Sequence, residues 1–348
     1  MAELGNIAII ANPVAQNGKG ALKARQVFEQ LGRMWLGGET TLHLTQSAGH
    51  AARLACELAD RADTLVVVGG DGVIHETVNG LMGVPFEKRP LLGVVPAGSG
   101  NDYANTLGMS EDVAKAVVQL MKAREVRADV GCVNGQFFTE TLSFGLDAAI
   151  ALGTVEARKR NGHSGTRLYL EVGIDQLLHH LDLYGYRMLV DGSARAVAYR
   201  DGAAVEQGPY AGYSADVRPG SRDDATADTA ADAADGSSFN GRCLLAAVQV
   251  GPTYGGGFHI CPDARIDDGM LDVCFAHPPL SVPYATFVFL RAKDGHHTGY
   301  KQVEFLRAPR LTLRFDGAIP AQIDGERIEA DEYEISCVPG ALRVLSAR

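Results

Sequence analysis

The sequence predicts an α/β domain with a mostly parallel sheet over residues 1–129, followed by a β-rich domain over residues 130–335. Three observations predict it. Strand and helix signals alternate through the first third, the alternation stops after Asp129, and the remainder is a series of short apolar runs divided by Gly, Asn and Asp. A βαβα order covers both faces of a sheet with helices, whereas short runs with turn residues between them read as antiparallel strands. At 348 residues the chain also exceeds the usual size of one domain.

Each element has its own justification. "NIAIIAN" (6–12) is an apolar strand, and "GKGALKARQVFEQLGRM" (18–34) has helical spacing. "TTLHLTQ" (40–46) and "TLVVVGG" (64–70) are strands, separated by the helical "AGHAARLACELAD" (48–60). Leu65 to Val68 are uninterruptedly apolar, as a strand covered on both faces must be. From Ile74 the period changes: Ile74, Val78 and Leu81 fall at i, i+4 and i+7 on one helix face. "PLLGVVP" (90–96) is the next strand, "DYANTLG" (102–108) opens a helix, and "SEDVAKAVVQLMKA" (110–123) follows with Ser110 as its expected N-cap.

Beyond Asp129 one helical interlude is expected at roughly 150–182, amid strands such as "CLLAAVQVG", "MLDVCFA" and "VEFLRAPRLTLRF". Residues about 203–240 are rich in Ala, Asp, Gly and Ser and are expected to be a disordered acidic insertion in a hairpin. A last segment, 336–348, is expected to return to the first domain.

Composition narrows the function. With 32 Lys and Arg against 42 Asp and Glu, the formal charge of −10 argues against nucleic acid as a partner. Six cysteines lack metal-ligand spacing, the N-terminus lacks a leader pattern, and no run approaches the ~20 apolar residues of a membrane span. A cytoplasmic protein with free thiols is expected.

Three glycine-bearing loops fall at the carboxyl ends of the predicted parallel strands: "ANPVAQNGKG" (11–20), "GGDGV" (69–73) and "PAGSGND" (96–102). Ligands of such sheets bind at that edge, and glycine amides at a helix N-terminus favour phosphate. The loops therefore point to a nucleotide, although none is a Walker A loop or a GxGxxG fingerprint.

Together these loops resemble the diacylglycerol kinase catalytic family, which includes bacterial soluble lipid kinases and the sphingosine and ceramide kinases. The resemblance rests on Asn12 and Pro13, "GGDGVIHETVNGL" (69–81), "GVVPAGSGND" (93–102), "GGGFHICPDARIDDGMLDV" (255–273) and "QIDGER" (322–327). It implies a first domain of the phosphofructokinase and NAD kinase type, a β-sandwich-like second domain, and ATP with Mg2+ in the cleft between them. On that resemblance Asn12, Pro13, Gly69, Gly70, Asp71, Gly72, Glu76, Gly98, Ser99, Asn101 and Asp102 line the nucleotide site. Asp71 meets the phosphates and magnesium, and Asp324 is the general base for a lipid hydroxyl. A structural magnesium would involve Lys19, Asp129 and Asp268 through water.

Two departures stand out: Val73 replaces the usual Thr after Gly-Gly-Asp-Gly, and "QVGPTYGGG" replaces the usual Asn-Gly before the triple glycine. The expected activity is phosphorylation of diacylglycerol or a related long-chain alcohol by a peripheral, non-spanning protein. A soluble acceptor, or a nucleotide-binding regulator without turnover, stays open, as does a homodimer. An apolar pocket in the second domain would favour lipid, and Arg158, Lys159, Arg160 and Arg167 are the expected membrane-facing charges.

Overall fold

The computed structural model describes residues 3–161, 165–200, 202–212 and 236–348. The first part runs β1 (Ile7–Ala11), α1 (Ala15–Gly18), α2 (Gly20–Met34), β2 (Thr40–Leu44), α3 (His50–Leu58), β3 (Thr64–Gly69), α4 (Asp71–Met82), β4 (Leu91–Pro96), α5 (Asp102–Thr106) and α6 (Val113–Lys122). β1 pairs in parallel with β2 and β3, and β3 with β4. β1, β3 and β4 are buried along their whole length, because helices cover both faces. Each helix turns one stripe inward: Ala24, Val27 and Leu31 of α2, and Ala116, Val117 and Leu120 of α6. Fully burying each large apolar side chain contributes about 1.5–3 kcal/mol. α6 is capped by Asp112, whose carboxylate accepts from the Lys115 amide at 2.9 Å. The expected Ser110 cap is wrong by two residues; its hydroxyl accepts instead from the Asp112 amide.

The second part runs β5 (Arg124–Val133), β6 (Gln136–Phe138), β7 (Thr141–Gly145), α7 (Leu146–Asn161), α8 (Gly165–His179), β8 (Tyr184–Asp191), β9 (Arg195–Arg200) and β10 (Ala203–Pro209). It continues with β11 (Gly236–Cys243), β12 (Leu245–Gln249), β13 (Leu271–Ala276), α9 (Val282–Ala292), β14 (Val303–Ala308), β15 (Arg310–Phe315), β16 (Ala321–Ile323), β17 (Glu326–Arg327) and β18 (Tyr333–Ser346). Two sheets result. One follows the order β11-β8-β15-β18-β4-β3-β1-β2, with β5 and β6 on the flank of β18; the other follows β10-β9-β14-β13-β12-β7-β16-β17. The architecture is an α/β domain with a mostly parallel sheet, then a β-sandwich-like domain. β18 belongs to both halves: it pairs antiparallel with β5 and β15 and parallel with β4.

The sandwich core lies between the sheets. On β8, Tyr186, Met188 and Val190 alternate inward and meet Phe144, Val248 and Phe275 from the opposite sheet. A separate apolar cluster lies under α7, α8 and α9.

The expected insertion is corrected at both edges. Residues 203–209 are β10 and residues 236–243 are β11, and these strands lie at the edges of different sheets, so the segment joins two layers and closes no hairpin. Residues 213–235, which carry most of the Ala-Asp run, lie outside the described residues.

Candidate active site

The strand-to-helix turn after β3 sets the geometry. Gly70 and Gly98 face each other so closely that a Cβ on Gly70 would sit 2.8 Å from the Gly98 Cα, so the second and third loops touch backbone to backbone. Asn101 holds the third loop in shape: it adopts φ 60° and accepts from the Gly98 amide at 2.7 Å. Its own amide donates to Asp71 Oδ2 at 2.9 Å, and the Tyr103 amide donates to Asp71 Oδ1 at 3.4 Å. Gln16 of the first loop donates to the Gly98 carbonyl at 2.9 Å, which joins all three loops.

Asp102 clasps the two halves of the molecule together, accepting from the Gly256 amide at 3.0 Å and the Gly257 amide at 2.8 Å. A Cβ on Gly100 would lie 2.8 Å from Asp71 Oδ2 and 3.0 Å from Asp102 Oδ2, so only glycine fits between the two carboxylates. Both are buried. Burial raises the Asp71 pKa, and amide hydrogen bonds take back part of the shift. Burial and the charge of Asp71 push Asp102 up to about 7, against the same kind of amide relief.

Asp324 occupies a tight turn at φ 45° between β16 and β17. Oδ1 accepts from the amides of Glu140 (3.1 Å) and Thr141 (3.0 Å). Oδ2 accepts from the Thr139 amide (2.9 Å) and hydroxyl (3.4 Å), and from His75 Nδ1 (3.1 Å). Burial works to lower the His75 pKa, but the bond to Asp324 and the charges of Asp324, Glu326 and Glu76 outweigh it and raise it. Sequence reasoning passed over His75, although Asp71, His75 and Asn79 recur every four residues on one helix face.

One cleft of about 660 Å3 is lined by Asn12, Pro13, Gly70, Asp71, Gly72, Glu76, Gly98, Ser99, Asp102 and Asp324. Its far wall comes from the second part of the chain, through Thr139, Glu140, Tyr169, Tyr254, Gly255 and Gly256. Beyond Tyr169 lies a second, narrow cavity of about 60 Å3, lined almost wholly by apolar side chains of α7, α8, α9 and the strands beneath.

The profile of the "Diacylglycerol kinase catalytic domain" matches residues 6–133, and that of the "YegS C-terminal NAD kinase beta sandwich-like domain" matches residues 140–346. The chain belongs to the diacylglycerol kinase catalytic-domain family. Among similar proteins, the Chromohalobacter salexigens protein named "Probable lipid kinase YegS-like" is 28% identical over 94% of this chain and 90% of its own length. The Bacillus subtilis "Diacylglycerol kinase" is 28% identical over 86% of this chain and 82% of its own. A crystal structure of a diacylglycerol kinase from Bacillus anthracis shares the fold with a TM-score of 0.70, at 19% identity, over 99% of this chain and 98% of that one.

Against that family background, several site residues do something other than line the cleft. Gly69 is the last residue of β3 and lies beneath Val73, whose side chain a Cβ there would strike. Asn101 is buried behind the loop. Glu76 reaches the cleft rim, but its two oxygens accept from the Gly49 and Ala51 amides at 2.8 and 3.1 Å, capping α3. Asp129, expected beside a magnesium through water, accepts from the Gly269 and Gly340 amides at 2.6 and 2.7 Å, which ties β5 to two turns. Asp268 lies near it and accepts from the Met270 amide, while Lys19 is exposed at the α1–α2 junction. Among the described residues no three His, Cys, Asp or Glu side chains are grouped to hold a metal. Arg167 is exposed and pairs with Glu171 at 2.8 Å; the side chains of Arg158, Lys159 and Arg160 lie outside the described residues.

Proposed function

We propose that the protein is an ATP-dependent lipid kinase that phosphorylates the hydroxyl of diacylglycerol or a related long-chain alcohol. The observation that carries this reading is the pairing of a glycine-walled cleft that holds Asp71, Asp102 and Asp324 with an apolar cavity that shares Tyr169 with it. A soluble acceptor would need a polar pocket there.

The residues present fit ATP and magnesium. α4 begins at Asp71 with no side-chain cap on Gly70, so its N-terminal amides open toward the cleft. Asp71 and Asp102 are neighbouring buried carboxylates whose pKa values are raised first by burial, and for Asp102 next by the charge of Asp71. Magnesium prefers one or two carboxylates completed by phosphate oxygens and water; bound with ATP, it would neutralise charge on the transferring phosphoryl group. Asp71 would hold that ion, Gly70, Gly72 and Gly98 would let backbone amides reach the phosphates, and Asn12 and Ser99 would flank them. Phosphoryl transfer depends mainly on positioning. Asp324, held by the amides of Thr139, Glu140 and Thr141, the Thr139 hydroxyl and His75, would orient the acceptor hydroxyl and accept its proton.

The protein would meet its substrate at a membrane surface through α8 and α9. These helices cross at Gly173 and Phe289, and they expose Ile174, Leu178, Phe287 and Leu290 outside the apolar cavity. No helix of the described residues is long and apolar enough to span a bilayer.

The test is ATP consumption with magnesium against diacylglycerol, monoacylglycerol, sphingoid bases and undecaprenol in mixed micelles. Lipid-dependent turnover is expected, reduced at least about a thousandfold by Asp71→Ala and by Asp324→Ala. ATP binding without turnover on any lipid would refute the assignment.

A further inference from the structure

α4 carries three polar side chains on one face, Asp71, His75 and Asn79, each four residues after the last. Asp71 lines the cleft. The other two reach across to the second part of the chain. Asn79 pairs with β6 through both ends of its amide: Oδ1 accepts from the Phe137 amide at 3.0 Å, and Nδ2 donates to the Phe137 carbonyl at 2.9 Å. His75 Nδ1 lies 3.1 Å from Asp324 Oδ2, with 13% of the His75 side chain and 3% of the Asp324 side chain exposed.

The two bonds from Asn79 to Phe137 settle which way its amide faces, and so which imidazole nitrogen holds the proton. Nδ2 is turned to His75, 3.3 Å from Nε2 and 2.9 Å from the His75 carbonyl. Nε2 therefore accepts, and the proton sits on Nδ1, from which it is donated to Asp324. A second proton, on Nε2, would point at the amide's own hydrogens. Four further bonds to Asp324 come from Thr139, Glu140 and Thr141, on its own side of the cleft. Among the described residues, the bond from His75 is the one that joins Asp324 to the helix beginning at Asp71.

Resting on the lipid-kinase reading above, we infer that His75 is a positioning residue of phosphoryl transfer, a strut that sets Asp324 against Asp71, with Asn79 fixing its tautomer. Transfer needs the acceptor oxygen in line with the phosphorus, and a misplacement of about 1 Å costs roughly a hundredfold. Asp71 serves the phosphate end and Asp324 the hydroxyl, and they belong to different parts of the chain. Loss of the strut therefore acts on kcat and spares KM. Histidine Nδ1 and asparagine Nδ2 each stand one bond beyond Cγ, so His75→Asn keeps a donor for the same oxygen. His75→Leu keeps bulk without one.

The test uses the full chain with MgATP and dioleoylglycerol, 1-monooleoylglycerol or sphinganine in mixed micelles. His75→Leu should lower kcat about 30- to 100-fold, with KM for ATP and for the acceptor within about threefold of wild type. His75→Asn should recover kcat to within about fivefold of wild type, and thermal unfolding checks that both variants fold. A second readout needs no turnover: nitrogen NMR of histidine-labelled protein at about pH 8.5, with the His75 signals assigned by their loss in His75→Asn, should show a proton on Nδ1 and a bare Nε2. A proton on Nε2 in the wild type, a kcat for folded His75→Leu within about threefold of wild type, or a His75→Asn no faster than His75→Leu would overturn the inference and leave the kinase reading standing. Absence of turnover on every acceptor would overturn both.

Discussion

The two walls of the cleft are made differently. The wall from the first part of the chain is backbone: three short loops, held together by Asn101, Asp71 and Gln16, with glycines wherever two strands of loop must touch. The wall from the second part is mostly side chain: Thr139, Glu140, Leu168, Tyr169 and Tyr254, gathered from distant positions. Phosphate is the same in every nucleotide and suits a fixed set of amides, whereas an acceptor varies and suits exchangeable side chains. The difference teaches that a wall built of backbone and a wall built of side chains can meet in a single cleft.

That contrast can be broken most severely at the backbone wall. Gly98→Val places a branched side chain against the Gly70 Cα, where even a Cβ collides. Binding of ATP, followed by calorimetry, should weaken at least about a hundredfold, since backbone cannot relax as a flexible side chain can. Retained affinity would show that the loops need not touch. A smaller loss is expected at the outer face of the other wall. Leu178→Glu combined with Leu290→Glu should lower partition onto lipid vesicles about tenfold or more, because each exposed leucine contributes part of its burial energy at the interface. Partition equal to wild type would remove α8 and α9 from the membrane face.

The smallest effect separates the walls by pH. A carboxyl whose folded pKa lies above its unfolded value favours folding while protonated and loses that advantage as pH rises from the unfolded to the folded pKa. For Asp102 this window runs from 3.8 to about 7, and Asp71 and Glu140 shift the same way. Without magnesium, the melting temperature should therefore fall between pH 5 and pH 7, by a few degrees more in the wild type than in Asp102→Asn. Parallel curves for the two proteins would show that Asp102 is not the group responsible.

Legibility followed the same division. The β3–α4 turn, with its fully apolar strand and a change of period at Ile74, could be read because everything that fixes it lies within a few residues. The Asp112 cap was missed because Ser110 and Asp112 are both good caps, and only the geometry of the preceding turn chooses between them. The acidic segment was drawn too wide, since β10 and β11 gain their order from pairing with β9 and β8, not from their own composition. Glu76 and Asp129 also anchor amides, a role that depends on where distant turns arrive and that no local pattern announces. His75 and Asp324 stand 249 residues apart, and no local pattern joins them.

β18 carries a consequence for how the molecule is made. Its residues, the last fourteen-residue strand of the chain, supply the neighbour that both β4 and β5 lack. During synthesis the amino-terminal sheet would therefore wait, with one edge bare, until residues 333–346 have been made. Such long-range closure slows folding and leaves a sticky edge in the interim. The nascent chain thus has reason to stay in the company of chaperones until β18 emerges, and a ribosome stalled before Tyr333 would release a fragment unable to close its first sheet.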